Sequence, residues 1–140
     1  MRHAKMSGIM VNESVQQSET ARLFKDAKDT LMDLKDWLCG ERSTFRDVIN
    51  GKVKQEISDG FDSAYALLKH AEEDRTSPTA AKEDVSEAED IWRESIVSVV
   101  EKAIGNDARR ENDLVELLAP MQEMLNELKE STASNARDSS

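Results

Sequence analysis

Among the side chains that could act as nucleophiles, general bases or soft metal ligands, this sequence holds two histidines, His3 and His70, and one cysteine, Cys39. A di-metal carboxylate bundle needs Glu-x-x-His pairs projecting inward from facing helices. Position 67, three before His70, is leucine, and no glutamate precedes His3. No His-Glu-x-x-His zinc signature occurs, and His70-Ala71-Glu72 has no Cys-x-x-Cys partner with which to form a deaminase-type site. His70 falls near the end of a helical pattern, so it reads as a surface residue favoured by the negative helix C-terminus. A single cysteine excludes an internal disulfide and a Cys-based zinc site. Cys39 is expected at a helix C-terminus beside Asp36 and Glu41. Both features raise a thiol pKa, the reverse of the helix N-terminal effect, so a small buried apolar role is expected. The five glycines are scattered and form no phosphate loop. Carboxylates are abundant, but on solvated helix faces they do not form an acid and base paired in a cleft. The expectation is a protein that is not an enzyme, with no catalytic residues, no cofactor and no metal.

The charge balance narrows the partners. The 140 residues carry 29 acids and 19 bases, a formal net charge of −10. Binding to nucleic acid or to anionic membranes draws on Lys and Arg, so both are disfavoured. The densest basic spots, Lys52/Lys54 and Arg109/Arg110, are each flanked by acids. The densest acidic run spans 83–90 and holds Glu83, Asp84, Glu87, Glu89 and Asp90 without a base. It reads as a solvated face whose acids favour a helix N-terminus, or as a docking patch for a basic partner. No stretch approaches the roughly 20 apolar residues of a membrane span. No charged segment followed by an apolar one opens the sequence, so a cytoplasmic protein is expected, with export by a non-classical route left open.

The elements are helical. Five Gly and two Pro are few for an all-β fold, and no segment alternates with a period of two. Residues 1–13 read as a flexible tail, 14–130 as one helical domain, and 131–140, without large apolar groups, as disordered. A first helix spans about 14–39, with Ser14 and Gln17 fitting a capping box and Phe24, Ala27, Leu31, Leu34 and Leu38 forming one stripe. A second spans about 43–74, with the stripe Val53, Ile57, Phe61, Ala64, Leu68 and Ala71. Gly51 and Gly60 each cost roughly 1 kcal/mol inside it. The stripe stays in phase across Gly60, which favours one uninterrupted helix. Ser77 and Pro78 open a third, carrying Ala81, Val85, Ala88, Trp92, Ile96, Val99 and Ala103, and Gly105-Asn106 closes it. A fourth begins between 107 and 113, with Asp113 and Glu116 as a second capping pair, and runs to about 130. Pro120 should kink or break it near 116–120. The expected fold is all-α, an antiparallel four-helix bundle of long helices, with dimerisation as a means of completing its core.

Apolar residues off these stripes carry the functional clue. In the third helix Val97, Val100 and Ile104 lie roughly 60–140° from the main stripe. Val115 is off-phase in the fourth. Either the third helix is central and touches two neighbours, or the extra face is a partner or self-association surface. The spacing of Ile96, Val97, Val100 and Ile104 suits helix-in-groove recognition. With the acids Glu83, Asp84, Glu87 and Asp90, these residues form the expected partner-binding set. The sequence thus reads as an acidic interaction module that binds, chaperones or inhibits a protein partner with a basic or amphipathic surface. A structural, assembly or exported protein is the alternative, in which the acid-poor segment before Glu13 serves as an assembly arm or export signal.

Overall fold

A computed structural model describes the backbone of residues 2–73 and 77–138 and the side chains of 19–73 and 77–135. The described chain is all-helical: α1 (Arg2–Leu38), α2 (Gly51–Glu73), α3 (Pro78–Ile91), a π-helical segment (Trp92–Val97), α4 (Ser98–Ile104) and α5 (Ala108–Asp138). The π segment joins α3 and α4 into one rod, so four rods make the bundle. Around the ring, α1 packs on α2, α2 on the α3–α4 rod, that rod on α5, and α5 on α1.

Polar contacts between rods fix their directions. Lys28 reaches Glu72 at 3.1 Å and Lys35 reaches Asp62 at 2.6 Å, so α1 and α2 run antiparallel. Lys129 meets Glu89 at 2.8 Å and the Trp92 indole meets Gln122 at 3.0 Å, so the rod and α5 do too. Thr20 bonds Ser131 near one end of the α1–α5 pair, while Arg110, at the start of α5, reaches Asp47 beyond the other end of α1. All stripe positions of α1 are buried, as are Ile57, Phe61, Ala64, Leu68 and Ala71 of α2. Burying these seams supplies most of the helical stability, because propensity alone is weak.

Several expectations need correction. Helix α2 begins at Gly51, not near residue 43. Residues 39–50 instead form consecutive turns. The Ser43 hydroxyl accepts the Phe45 N–H at 3.1 Å, and the Phe45 carbonyl accepts from Val48 and Ile49. Phe45 and Ile49 are thereby driven into the end of the bundle, where both are buried. Gly51 has φ +52°, a left-handed conformation that prevents one helix from running through it.

The other corrections concern helix ends and register. The segment 1–13, expected to be a tail, is helical from Arg2. Ser14 and Gln17 therefore lie within a helix, and their capping contacts fall outside the described side chains. Helix α5 starts at Ala108, within the expected range 107–113, but the Asp107 carboxylate accepts the Arg110 N–H at 3.2 Å there, so the expected capping pair Asp113 and Glu116 lies inside the helix. It continues unbroken through Pro120 to Asp138, past the expected end near 130. Thr132 is buried and returns its hydroxyl to the Leu128 carbonyl at 2.7 Å, while Ser131 ties to Thr20, so this small polar stretch packs as helix. Finally, the third rod is not uniformly α-helical. Its i→i+5 segment takes up about one extra residue, so Val100 follows Ile96 into the core where Val99 was expected.

The π segment sits where α2 comes closest. A Cβ at Gly60 would lie 3.1 Å from Ile96 Cγ1, 3.1 Å from Ser95 Cβ and 3.3 Å from the Ser95 carbonyl oxygen. The glycine that looked like a helix defect is the place where the widened turn fits.

Candidate functional site

The rod and α5 leave an apolar groove between them, about 320 Å³ in volume. Trp92, Leu114 and Leu118 form its floor, and Val97, Val115 and Ala119 its apolar walls. Trp92 and Leu114 belong to the core, whereas Val115 is 57% exposed. Glu101 and Glu123 stand on the rim, both exposed, and no basic residue lines the groove. Local folding explains this placement. The π segment brings Trp92, Ile96 and Val100 inward together, which leaves Val97 and Glu101 on the side facing α5.

A partly buried polar network closes one end. Gln122 accepts the Trp92 indole N–H at 3.0 Å and donates to Glu89 at 3.3 Å and Asn126 at 3.2 Å. Glu89 is only 3% exposed, yet its carboxylate also accepts the Lys129 ammonium at 2.8 Å, with Arg93 at 3.9 Å. A buried charge persists when it is paired and hydrogen-bonded. No buried side-chain nitrogen or oxygen among the described residues lacks a partner. The Trp92 ring is fixed from its other side by an edge-on contact with Phe61, 6.2 Å between centroids. The floor of the groove is therefore held rigidly.

The expected partner-binding residues separate. Ile96 and Val100 are 0% exposed, which removes them from any docking surface of the folded chain; the central-helix alternative describes them. Val97 is half-buried and lines the groove, and Ile104 is half-buried against the core outside it. Glu83, Glu87 and Asp90 are exposed along α3, apart from the groove lining. Asp84 turns aside to share a 2.6 Å hydrogen bond with His70 Nδ1, joining α2 to α3. The groove residues that the sequence reading missed as site residues are Trp92, Glu101, Leu114, Leu118, Ala119, Gln122 and Glu123. The off-phase position of Val115 was the one signal that pointed toward them.

Elsewhere, a wider and more polar cleft of about 640 Å³ lies between α1 and α5, lined by Thr20, Leu23, Asp26, Glu127 and Ser131 among others. Cys39 is half-buried and its thiol pKa is raised, first by burial, with Asp36 and Asp62 adding and Lys54 and Lys35 opposing. The direction matches the expectation; the leading cause is desolvation rather than the helix end. No three of His, Cys, Asp and Glu converge to hold a metal ion among the described residues. No described helix is long and apolar enough to cross a membrane. His3 lies outside the described side chains. Comparison with protein-family models, with curated proteins and with solved structures found no match to this chain.

Proposed function

We propose that the chain is a protein-interaction module that takes an amphipathic, basic helical segment of a protein partner into the groove between the rod and α5. The observation that carries this is an apolar floor and walls whose charged lining residues are both carboxylates, Glu101 and Glu123. Along α5 the groove runs from Leu114 to Glu123, between two and three helical turns. That length matches a ligand helix whose apolar anchors fall at i, i+3 or i+4, and i+7. Carboxylates on the rim steer basic flanks into place and disfavour acidic ones. The rigid Trp92–Gln122–Glu89–Lys129 network presents the floor preformed, which lowers the ordering cost of binding. The function is recognition by this surface, not conversion of a small molecule.

The test is fluorescence anisotropy with a labelled amphipathic helix of leucine and lysine, about 18 residues long so that it holds helical structure. Binding should weaken about tenfold in Val115→Glu, although that change makes the protein more acidic. Equal affinity for the parent and the variant would show that general charge attraction, not the groove, binds the probe, and would refute the proposal.

A further inference from the structure

We propose that the helical segment the groove receives is the N-terminal end of α1 from a second copy of this chain, so that copies assemble arm into groove. This rests on the groove reading above and names its occupant. The first observation is one of length. Thr20 of α1 meets Ser131 of antiparallel α5. Asp138, where α5 ends, is therefore level with about residue 13 of α1. Helix α2 stops sooner, since Lys28 already meets Glu72 and α2 ends at Glu73. Helix α1 nonetheless begins at Arg2. Roughly its first eleven residues, about 16 Å of helix, project past both rods that flank it.

The second observation is charge complementarity. Residues 1–12 hold Arg2, His3 and Lys5 and no acid, in a chain whose net charge is −10. Met6, Ile9 and Met10 follow at i, i+3 and i+4, the anchor spacing of a helix in a groove. Methionine adapts well to such a surface. The arm thus offers in sequence what the groove lacks, apolar anchors preceded by positive charge.

The third observation is distance. By the same register, Leu114–Glu123 of the groove is level with about residues 28–37 of α1. About 25–50 Å of continuous helix separates the arm from its own groove. Only another copy can deliver it.

Charge reversal tests this in the full-length chain, by sedimentation equilibrium up to the hundred-micromolar range. The parent should associate. Glu101→Lys with Glu123→Lys should weaken association about tenfold, even though it lowers the net charge from −10 to −6 and so reduces general repulsion between copies. Arg2→Glu with Lys5→Glu should weaken it as well. All four changes together return the net charge to −10 and should restore the parent affinity to within about threefold. A parent that stays monomeric, or groove variants that associate unchanged or more tightly, would overturn the proposal. The leucine–lysine helix is measured on the same samples. A monomeric parent whose binding of that probe depends on Val115 refutes self-assembly alone; a monomeric parent that does not bind it refutes both readings.

Discussion

Replacing Gly60 by alanine sets two effects of known sign against each other. In an exposed helix interior, Gly→Ala stabilises by about 1 kcal/mol, because alanine loses less backbone freedom. At Gly60 the new methyl would stand 3.1 Å from Ile96 Cγ1 and Ser95 Cβ and 3.3 Å from the Ser95 carbonyl oxygen. Comfortable carbon contacts begin at about 3.5 Å. The rod must therefore retreat by a few tenths of an ångström. Ile96 cannot turn away, since it is fully buried beside Trp92 and Val100, and the Ser95 carbonyl is main chain. Overpacking of this kind costs about 1–3 kcal/mol. The net expectation is a destabilisation of about 1 kcal/mol, read as a fall of roughly 3–4 °C in melting temperature for a chain of this size. Gly60→Val should lose about 3 kcal/mol, because its two further methyls meet the same wall. Urea denaturation with matched m-values measures both. If Gly60→Ala proves more stable than the parent by the full propensity difference, the close fit between α2 and the π segment is wrong.

Other outcomes follow from single contacts. Lys129→Met should destabilise by about 2 kcal/mol, since it leaves the buried Glu89 carboxylate with weaker partners, although the half-exposed lysine tempers the loss. Adding Glu89→Gln should recover most of that in a double-mutant cycle by urea denaturation; additive losses would show that the pair is not coupled. Phe45→Ala should cost about 3–4 kcal/mol, because this turn residue plugs the bundle end; a loss below about 1 kcal/mol in the same assay would place Phe45 outside the core. The Arg110 guanidinium, 2.7 Å away, holds the Asp47 carboxyl below the ordinary aspartate value. The unfolded chain then takes up its proton at higher pH, so this contribution is present above the ordinary aspartate pKa and fades as pH falls through the lowered one. Carboxyl NMR titration should show the depressed midpoint in the parent and its return toward the ordinary value in Arg110→Gln.

The helical seams were readable because burial in a bundle imposes a period near 3.6, and α1 and α2 obey it residue by residue. The all-helical class and the continuity of α2 across Gly60 followed from that alone. The corner at 39–50 escaped because Phe45 and Ile49 look like helix residues, while Gly51 shows its left-handed backbone only in three dimensions. Ser131 and Thr132 looked too polar to pack: the Ser131 hydroxyl finds its partner on a helix more than one hundred residues away, and Thr132 satisfies its own on the preceding turn of α5. The third rod misled for a different reason. A period of 3.6 assigns Val99 and Ala103 to the core, whereas the spacing of four through Trp92, Ile96, Val100 and Ile104 was itself the trace of an underwound turn. The groove was half visible, in Val97 and Val115, because its walls belong to two rods whose mutual rotation no single stripe encodes.

The widened turn at 92–97 works as an angular spacer. One surplus residue rotates everything beyond it by about 100° relative to a straight α-helix. The acids of α3 and the glutamate at 101 consequently look out along bearings that an unbroken helix could not combine. Excising one residue between 92 and 97 would swing α4 back by that angle and carry Glu101 off the mouth of the groove, while leaving the composition of the rod almost unchanged. In this molecule the direction in which a surface charge points is set by a count of residues, not by their kind.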